Sequence, residues 1–125
     1  AYLSDEFAHC YRDLDRPRQA KDHAQRALAE HQPGHVRRRV VDTVLVATAY
    51  AQEREVEAAC ATGFQAIEML SQLRSHRGIE YLHDLDRRLD PYQDNSAVRG
   101  FRERLGRLAG RQSALPPLLA PAIPR

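Results

Sequence analysis

Two stretches of this chain carry the same residues 39 positions apart, and that recurrence restricts the fold more than any other feature of the sequence. Ala8, Tyr11, Ala20 and Ala27 are matched by Ala47, Tyr50, Ala59 and Ala66, while Phe7 falls on Val46, Ala24 on Gly63 and Leu28 on Ile67. A fixed offset of this length marks a repeated supersecondary unit, which cannot bury its apolar face alone and stacks on a neighbour. Within the first unit the spacing is helical: Leu3, Phe7, Cys10, Tyr11 and Leu14 share one face, and Ala20, Ala24, Ala27 and Leu28 share another. Three alanines so placed let a second helix approach closely, because the side chains at a crossing set the distance between axes.

The rest of the chain continues the pattern. After a break at Asp15 and Arg16, Pro17 stands where a first helical residue needs no N–H, and Pro33-Gly34 ends that second helix. From 36 to about 52, Val40, Val41, Val44, Leu45, Val46, Ala47 and Tyr50 occupy nearly the whole circumference, which predicts a third helix packed on two sides. A fourth is expected over 56–73, through Ala59, Cys60, Gly63, Ala66, Ile67 and Leu70. Glu53, Arg54 and Glu55 are all acceptable in helices, so the turn before it is inferred from the repeat alone. Ser75 is a natural N-cap for a fifth helix carrying Ile79, Leu82, Leu85 and Leu89, which Asp90-Pro91 stops. Asn95-Ser96 opens a sixth, with Val98, Phe101, Leu105 and Leu108 inward and Gly106 and Gly110 weakening its end. Pro116, Pro117, Pro121 and Pro124 prohibit continuous helix in the last stretch.

No strand alternation interrupts this reading, so the expected fold is all-α, about six helices in antiparallel pairs. The domain is expected over 1–109, in units of about 1–34, 36–74 and 75–109, followed by a Pro-rich tail over 110–125 that is expected to be disordered. Leu115, Leu118, Leu119 and Ile123 give that tail enough apolar character to cover the end of a stack instead.

Composition bounds the function classes. At 125 residues one domain is the default, and 42% apolar with 29% charged residues are ordinary globular values. A net charge of +2 is too small to argue for nucleic acid. The most apolar stretch, 40–51, contains Asp42 and is too short to cross a bilayer, and no signal peptide is visible, so no membrane contact and a cytoplasmic location are expected. The chain opens at Ala1 with helical periodicity already under way and no Met, which reads as a piece of a longer polypeptide.

Candidate chemistry is sparse. Arg37-Arg38-Arg39 points three ways around a helix and reads as a solvated helix start. Arg87 and Arg88, and Arg99, Arg102, Arg104 and Arg107, are interleaved with Asp86 and Glu103, so no direct nucleic-acid contact is expected. His31 and His35 have metal-pair spacing, but Pro33-Gly34 breaks the helix that would align them. His9 and Cys10 are adjacent on a helix and diverge, and Asp84 and Asp86 do not share a face. Phosphate loops, nucleophile elbows and zinc-binding helices are absent. The expectation is therefore no enzyme, no metal and no cofactor, with Cys10 and Cys60 as core residues.

The first unit, with Ser4, Phe7, Ala8, Tyr11, Ala20, Ala24, Ala27 and a turn at Pro33, and the second, with Thr43, Val46, Ala47, Tyr50, Ala59, Gly63 and Ala66, resemble the tetratricopeptide (TPR) repeat. The Trp of that signature is absent from both units, and the large aromatic of its second helix is reduced to Ala24 or Gly63. Leu14-Asp15-Arg16-Pro17-Arg18-Gln19-Ala20, Leu73-Arg74-Ser75, Leu85-Asp86-Arg87-Arg88-Leu89 and Val98-Arg99-Gly100-Phe101-Arg102-Glu103-Arg104-Leu105 further resemble the C-terminal repeat region of actinobacterial Xre-type helix-turn-helix transcriptional regulators.

The resemblance implies a TPR-like right-handed solenoid with Phe7, Ala8, Tyr11, Ala20, Ala27, Val46, Ala47, Tyr50, Ala59 and Ala66 packing the repeats. It also implies a concave ligand groove formed by Tyr2, Asp5, His9, Arg12, Val41, Val44, Thr48, Glu80, His83 and Arg87. The implied partners are a protein or peptide, a small-molecule effector, and a second copy in a homodimer. The implied function is effector sensing and dimerisation in a cytoplasmic transcriptional regulator; the alternative is a stand-alone TPR scaffold or adaptor unrelated to transcription.

Overall fold

Helix boundaries fall where local backbone chemistry demands them. A computed structural model describes the backbone of residues 2–30 and 35–114 and the side chains of 6–30 and 35–111. The helices are α1 (Tyr2–Asp13), α2 (Pro17–Ala29), α3 (Val36–Gln52), α4 (Val56–Leu70), α5 (His76–Arg88) and α6 (Ser96–Ala114), with one 3-10 turn at Asp90–Tyr92. Among the described residues there is no strand, and the fold is all-α. The Pro33-Gly34 turn, His31 and the tail beyond 114 lie outside the described residues.

Caps account for several of these limits. Pro17 is the first residue of α2. Ser75 Oγ accepts from the Gly78 N–H at 3.1 Å and starts α5. Asn95 Oδ1 accepts from the Ala97 and Val98 N–H groups at 2.8 and 3.4 Å, while its amide donates to Glu57 Oε2 at 2.9 Å and lowers that carboxyl's pKa.

The turns closing α1 and α3 are the same structure repeated 39 residues on. Asp15 and Arg54 both take left-handed conformations, with φ of 55° and 65°. The next N–H, of Arg16 or Glu55, donates back to the carbonyl of Tyr11 or Tyr50 at 2.8 Å in each case. Asp15 N donates to Arg12 O and Arg54 N to Ala51 O, both at 3.0 Å. This six-to-one plus inner bond pattern is a Schellman ending, which satisfies the last carbonyls of a helix and reverses the chain. Glycine usually occupies the left-handed position, and its absence here explains why the 53–55 turn carries no local signal.

α3 lies in the middle, packed against α2, α4 and α5, with α1 also touching it, and α6 covers α4. Every residue from Val40 to Ala49 is buried. Ala8, Ala20, Ala24, Ala27, Ala47, Ala59 and Ala66 are fully buried, and Val46 nearly so. One apolar cluster joins α3 to α4, α5 and α6; a second joins Ala8 and Ala24 to Val41, Leu45 and Val46. Tyr50, half-buried, touches both clusters, and Tyr11 stacks on His23 with centroids 5.4 Å apart. Where α4 has only Gly63, α6 supplies an aromatic ring: a Cβ added at Gly63 would sit 2.7 Å from Phe101 Cε1.

Several expectations are corrected. Phe7 remains 42% exposed, its ring 5.2 Å from His23, and Cys10 is exposed instead of buried. Cys10 falls outside the faces of α1 that pack on α2 and α3, and Phe7 lies at the edge of the α2 contact, with only part of its surface against His23. α4 ends at Leu70, three residues before the expected limit. α6 runs through Gly106 and Gly110 to Ala114, because burial of Val98, Phe101, Leu105 and Leu108 outweighs about 1 kcal/mol of helix propensity per glycine.

The two thiols should separate chemically. Burial, assisted by nearby Glu57, pushes the Cys60 thiol above its ordinary pKa, whereas Cys10 is exposed. Because the thiolate is the reactive form, a thiol reagent at neutral pH is expected to label Cys10 quickly and Cys60 only in denaturant. Peptide mapping after a timed quench checks this, and equal labelling of both in the native state would contradict the packing of α4.

Candidate functional site

A cleft of about 280 Å³ lies where α1, the first half of α3 and the start of α5 converge. It is lined by Glu6 and His9 from α1, by Arg37, Arg38, Val41 and Asp42 from α3, and by Ser75 and Arg77. Asp42 and Val41 are buried at its floor, and the arginines stand at its rim, Arg37 and Arg77 exposed and Arg38 half-buried. Arg37 is oriented by a bond from its Nε to the Arg74 carbonyl at 3.0 Å.

One wall is organised around Tyr81. Its hydroxyl is 2.9 Å from His9 Nδ1, and the two rings meet edge to face at 5.3 Å. Arg77 Nη2 lies 3.3 Å from His9 Nε2. A guanidinium can only donate, so in this contact Nε2 is the acceptor, an arrangement that suits the neutral imidazole with its proton on Nδ1 facing the Tyr81 oxygen. Arg12 and Arg77 also cover the Tyr81 ring, 5.1 and 5.5 Å from its centroid. Cation–π contacts of this kind add about 0.5–1 kcal/mol each at exposed sites, and the Arg12 contact ties α1 to α5.

Three guanidinium groups beside two carboxylates make the cleft amphoteric. Forked N–H donors suit a carboxylate or phosphate, while Glu6 and Asp42 suit a cationic or N–H-bearing group. Among the described residues no His, Cys, Asp and Glu cluster could hold a metal ion. No described helix is long and apolar enough to cross a membrane.

The predicted groove is divided by the fold. His9 and Val41 line the cleft, and Arg12 borders it through Tyr81. Val44 and Thr48 are 0% and 2% exposed and point into the core, because α2, α4 and α5 enclose α3 beyond its first turns. Glu80 pairs with His76 at 3.6 Å, and Arg87 with Asp84 at 3.1 Å, away from the cleft. His83 borders a different, shallower cleft with Asp86, Asp90 and Arg102. There Asp90 and Asp86 both accept from Arg102, raising its pKa above the ordinary guanidinium value. The side chains of Tyr2 and Asp5 lie outside the described residues.

Sequence reasoning missed Glu6, Arg37, Arg38, Asp42, Ser75 and Arg77. Ser75 was legible as a cap, and the signal for Arg37, Arg38 and Asp42 was a basic run leading to an acidic residue in an otherwise apolar helix; no local signal marks Glu6 or Arg77. Comparison with family models, curated proteins and solved structures finds no match to this chain.

Proposed function

We propose that this chain is a ligand-sensing interaction domain, a TPR-like right-handed solenoid of helix pairs that holds a peptide or small effector by a carboxylate. The observation that carries this reading is the cleft built from α1, α3 and α5, where Arg37, Arg38 and Arg77 surround a floor of Val41 and Asp42. The Schellman turn repeated at 39 residues supports the repeat reading, since the same local structure recurs at the same place in two successive pairs. Arg77 connects the ligand to the fold: it belongs to α5 and touches His9 of α1. A bound carboxylate competing for Arg77 favours one spacing of α1 and α5, and differential affinity for two such spacings is what a sensor transmits. In an Xre-type cytoplasmic regulator the receiver is a DNA-reading domain carried elsewhere in the polypeptide.

The test compares a mixed pool of short peptides bearing free C-terminal carboxylates with the same pool amidated, by titration calorimetry. The carboxylate pool is expected to bind and the amidated pool to bind at least tenfold more weakly. Arg77→Ala is expected to lower affinity about 10- to 100-fold, the range for loss of one charge-assisted hydrogen bond, while circular dichroism stays unchanged. Equal binding of the two pools, or none by either, would remove the carboxylate reading.

A further inference from the structure

We infer that His9 is a proton-controlled latch on Arg77: acidification detaches this guanidinium from His9 and tightens the hold of the cleft on a carboxylate, an inference that rests on the carboxylate reading of the site. The imidazole is half-buried between α1 and two residues of α5. Its Nδ1 is 2.9 Å from the Tyr81 hydroxyl and its Nε2 is 3.3 Å from Arg77 Nη2. These two contacts respond differently to a proton. A guanidinium offers no lone pair, so the Arg77 contact exists only while Nε2 is unprotonated. A phenolic oxygen both donates and accepts, so the Tyr81 contact persists in the imidazolium with Nδ1–H as its donor. Protonation therefore ends one bond across the α1–α5 junction and keeps the other, which moves Arg77 without parting the helices.

The surrounding charges set the direction of the coupling. Among the described residues, Glu6 and Arg12 stand on the helix of His9, Arg37, Arg38 and Asp42 on α3, and Arg77 and Tyr81 on α5. Four guanidinium groups thus outnumber two carboxylates, and an anionic ligand redresses the balance. A carboxylate held at the arginine rim favours an imidazolium beside it, and by linkage the imidazolium favours the carboxylate by the same factor. Histidine changes charge between about pH 5 and 8, above the range of an ordinary carboxylate and below that of tyrosine. The Arg77 guanidinium is exposed at the rim, so once detached from Nε2 it turns toward the ligand with no buried contact to break.

Titration calorimetry with the pool of short peptide carboxylates, their N-termini acetylated so that only the protein titrates, reads the coupling. The unsubstituted chain is expected to bind at least about fivefold more tightly at about pH 5.5 than at about pH 7.5, the lower end for coupled sites. Buffers of different ionisation heat should show net proton uptake on binding between those values. His9→Gln keeps an acceptor for Arg77 but takes up no proton, so its affinity should be level over the same range. A pH dependence that survives in His9→Gln would assign the effect to Glu6 or Asp42 and overturn the proposal. Level or falling affinity on acidification of the unsubstituted chain would overturn it too, while the carboxylate reading stands if the amidated pool still binds more weakly. The latch is also read without ligand, by NMR: the Arg77 side-chain nitrogen resonances should move with the His9 ring signals in one titration and stay still in His9→Gln. Independent movement overturns the latch whatever the peptides do. No binding at either pH, with the resonances still moving together, would uphold the latch and strike the carboxylate as its ligand, so the two failures are distinct.

Discussion

Phe101→Ala is expected to lower the unfolding free energy by about 3–5 kcal/mol, the usual loss for a large buried aromatic. Domains of this size have total stabilities of about 5–15 kcal/mol, so the variant should unfold near ambient temperature or in dilute urea. The side chain is fully buried, meets Phe64 edge to face at 6.2 Å and fills the space over Gly63. A double-mutant cycle makes the argument specific. Gly63→Ala should destabilise the parent by about 1–3 kcal/mol, because its Cβ would stand 2.7 Å from the Phe101 ring. In the Phe101→Ala background the ring contacts are gone and only Leu85 Cδ2, at 3.2 Å, stays tight, so the same substitution should cost at least about 1 kcal/mol less than in the parent. Urea titrations of the four proteins check this coupling. Independent, additive effects would mean that α6 does not seat on α4 through this pair.

Gly78→Val should act on stability and on the cleft together. At this position α5 comes so close to α3 that an added Cβ would lie 2.9 Å from Val40 Cγ1 and 3.2 Å from the Ser75 hydroxyl that caps the helix. Overpacking of about 1–3 kcal/mol adds to about 1 kcal/mol for a disturbed cap, which corresponds to a melting temperature lower by roughly 10 °C. Because α5 carries Arg77 and Tyr81, its displacement also pulls both away from His9, and carboxylate binding should fall even well below the melting temperature. Val40→Ala in the same background is expected to restore part of both. A Gly78→Val protein as stable as the parent would contradict the seating of α5 on α3.

Much of the secondary structure was legible because its causes are local. Pro17, Ser75, Asn95 and Asp90-Pro91 mark helix limits through the backbone groups they supply or remove, and the structure places limits at each. The 53–55 turn was legible only through the repeat, since Arg54 occupies a left-handed position with no residue type to announce it. The end of α6 was misread because propensity was weighed without the burial of Phe101, Leu105 and Leu108 against α4. For the candidate site, the family resemblance named His9 and Val41, which line the cleft, and Arg12, which borders it. It failed for Val44 and Thr48, which a helical wheel cannot distinguish from surface positions until the helices enclosing α3 are known.

By itself, then, the sequence determined an all-α chain, the places where most helices begin and stop, and a unit that occurs twice, 39 residues apart. These depend on interactions within about one helical turn and on a periodicity written directly in residue types. Only the tertiary structure decided which apolar faces are covered, leaving Phe7 and Cys10 outside while enclosing Val44 and Thr48. It also brought Glu6, Arg38, Asp42 and Arg77 from three helices to one cleft. Such convergence depends on the angles and distances at which helices cross, which small residues such as Ala24, Gly63 and Gly78 permit but only the packing of the whole domain sets.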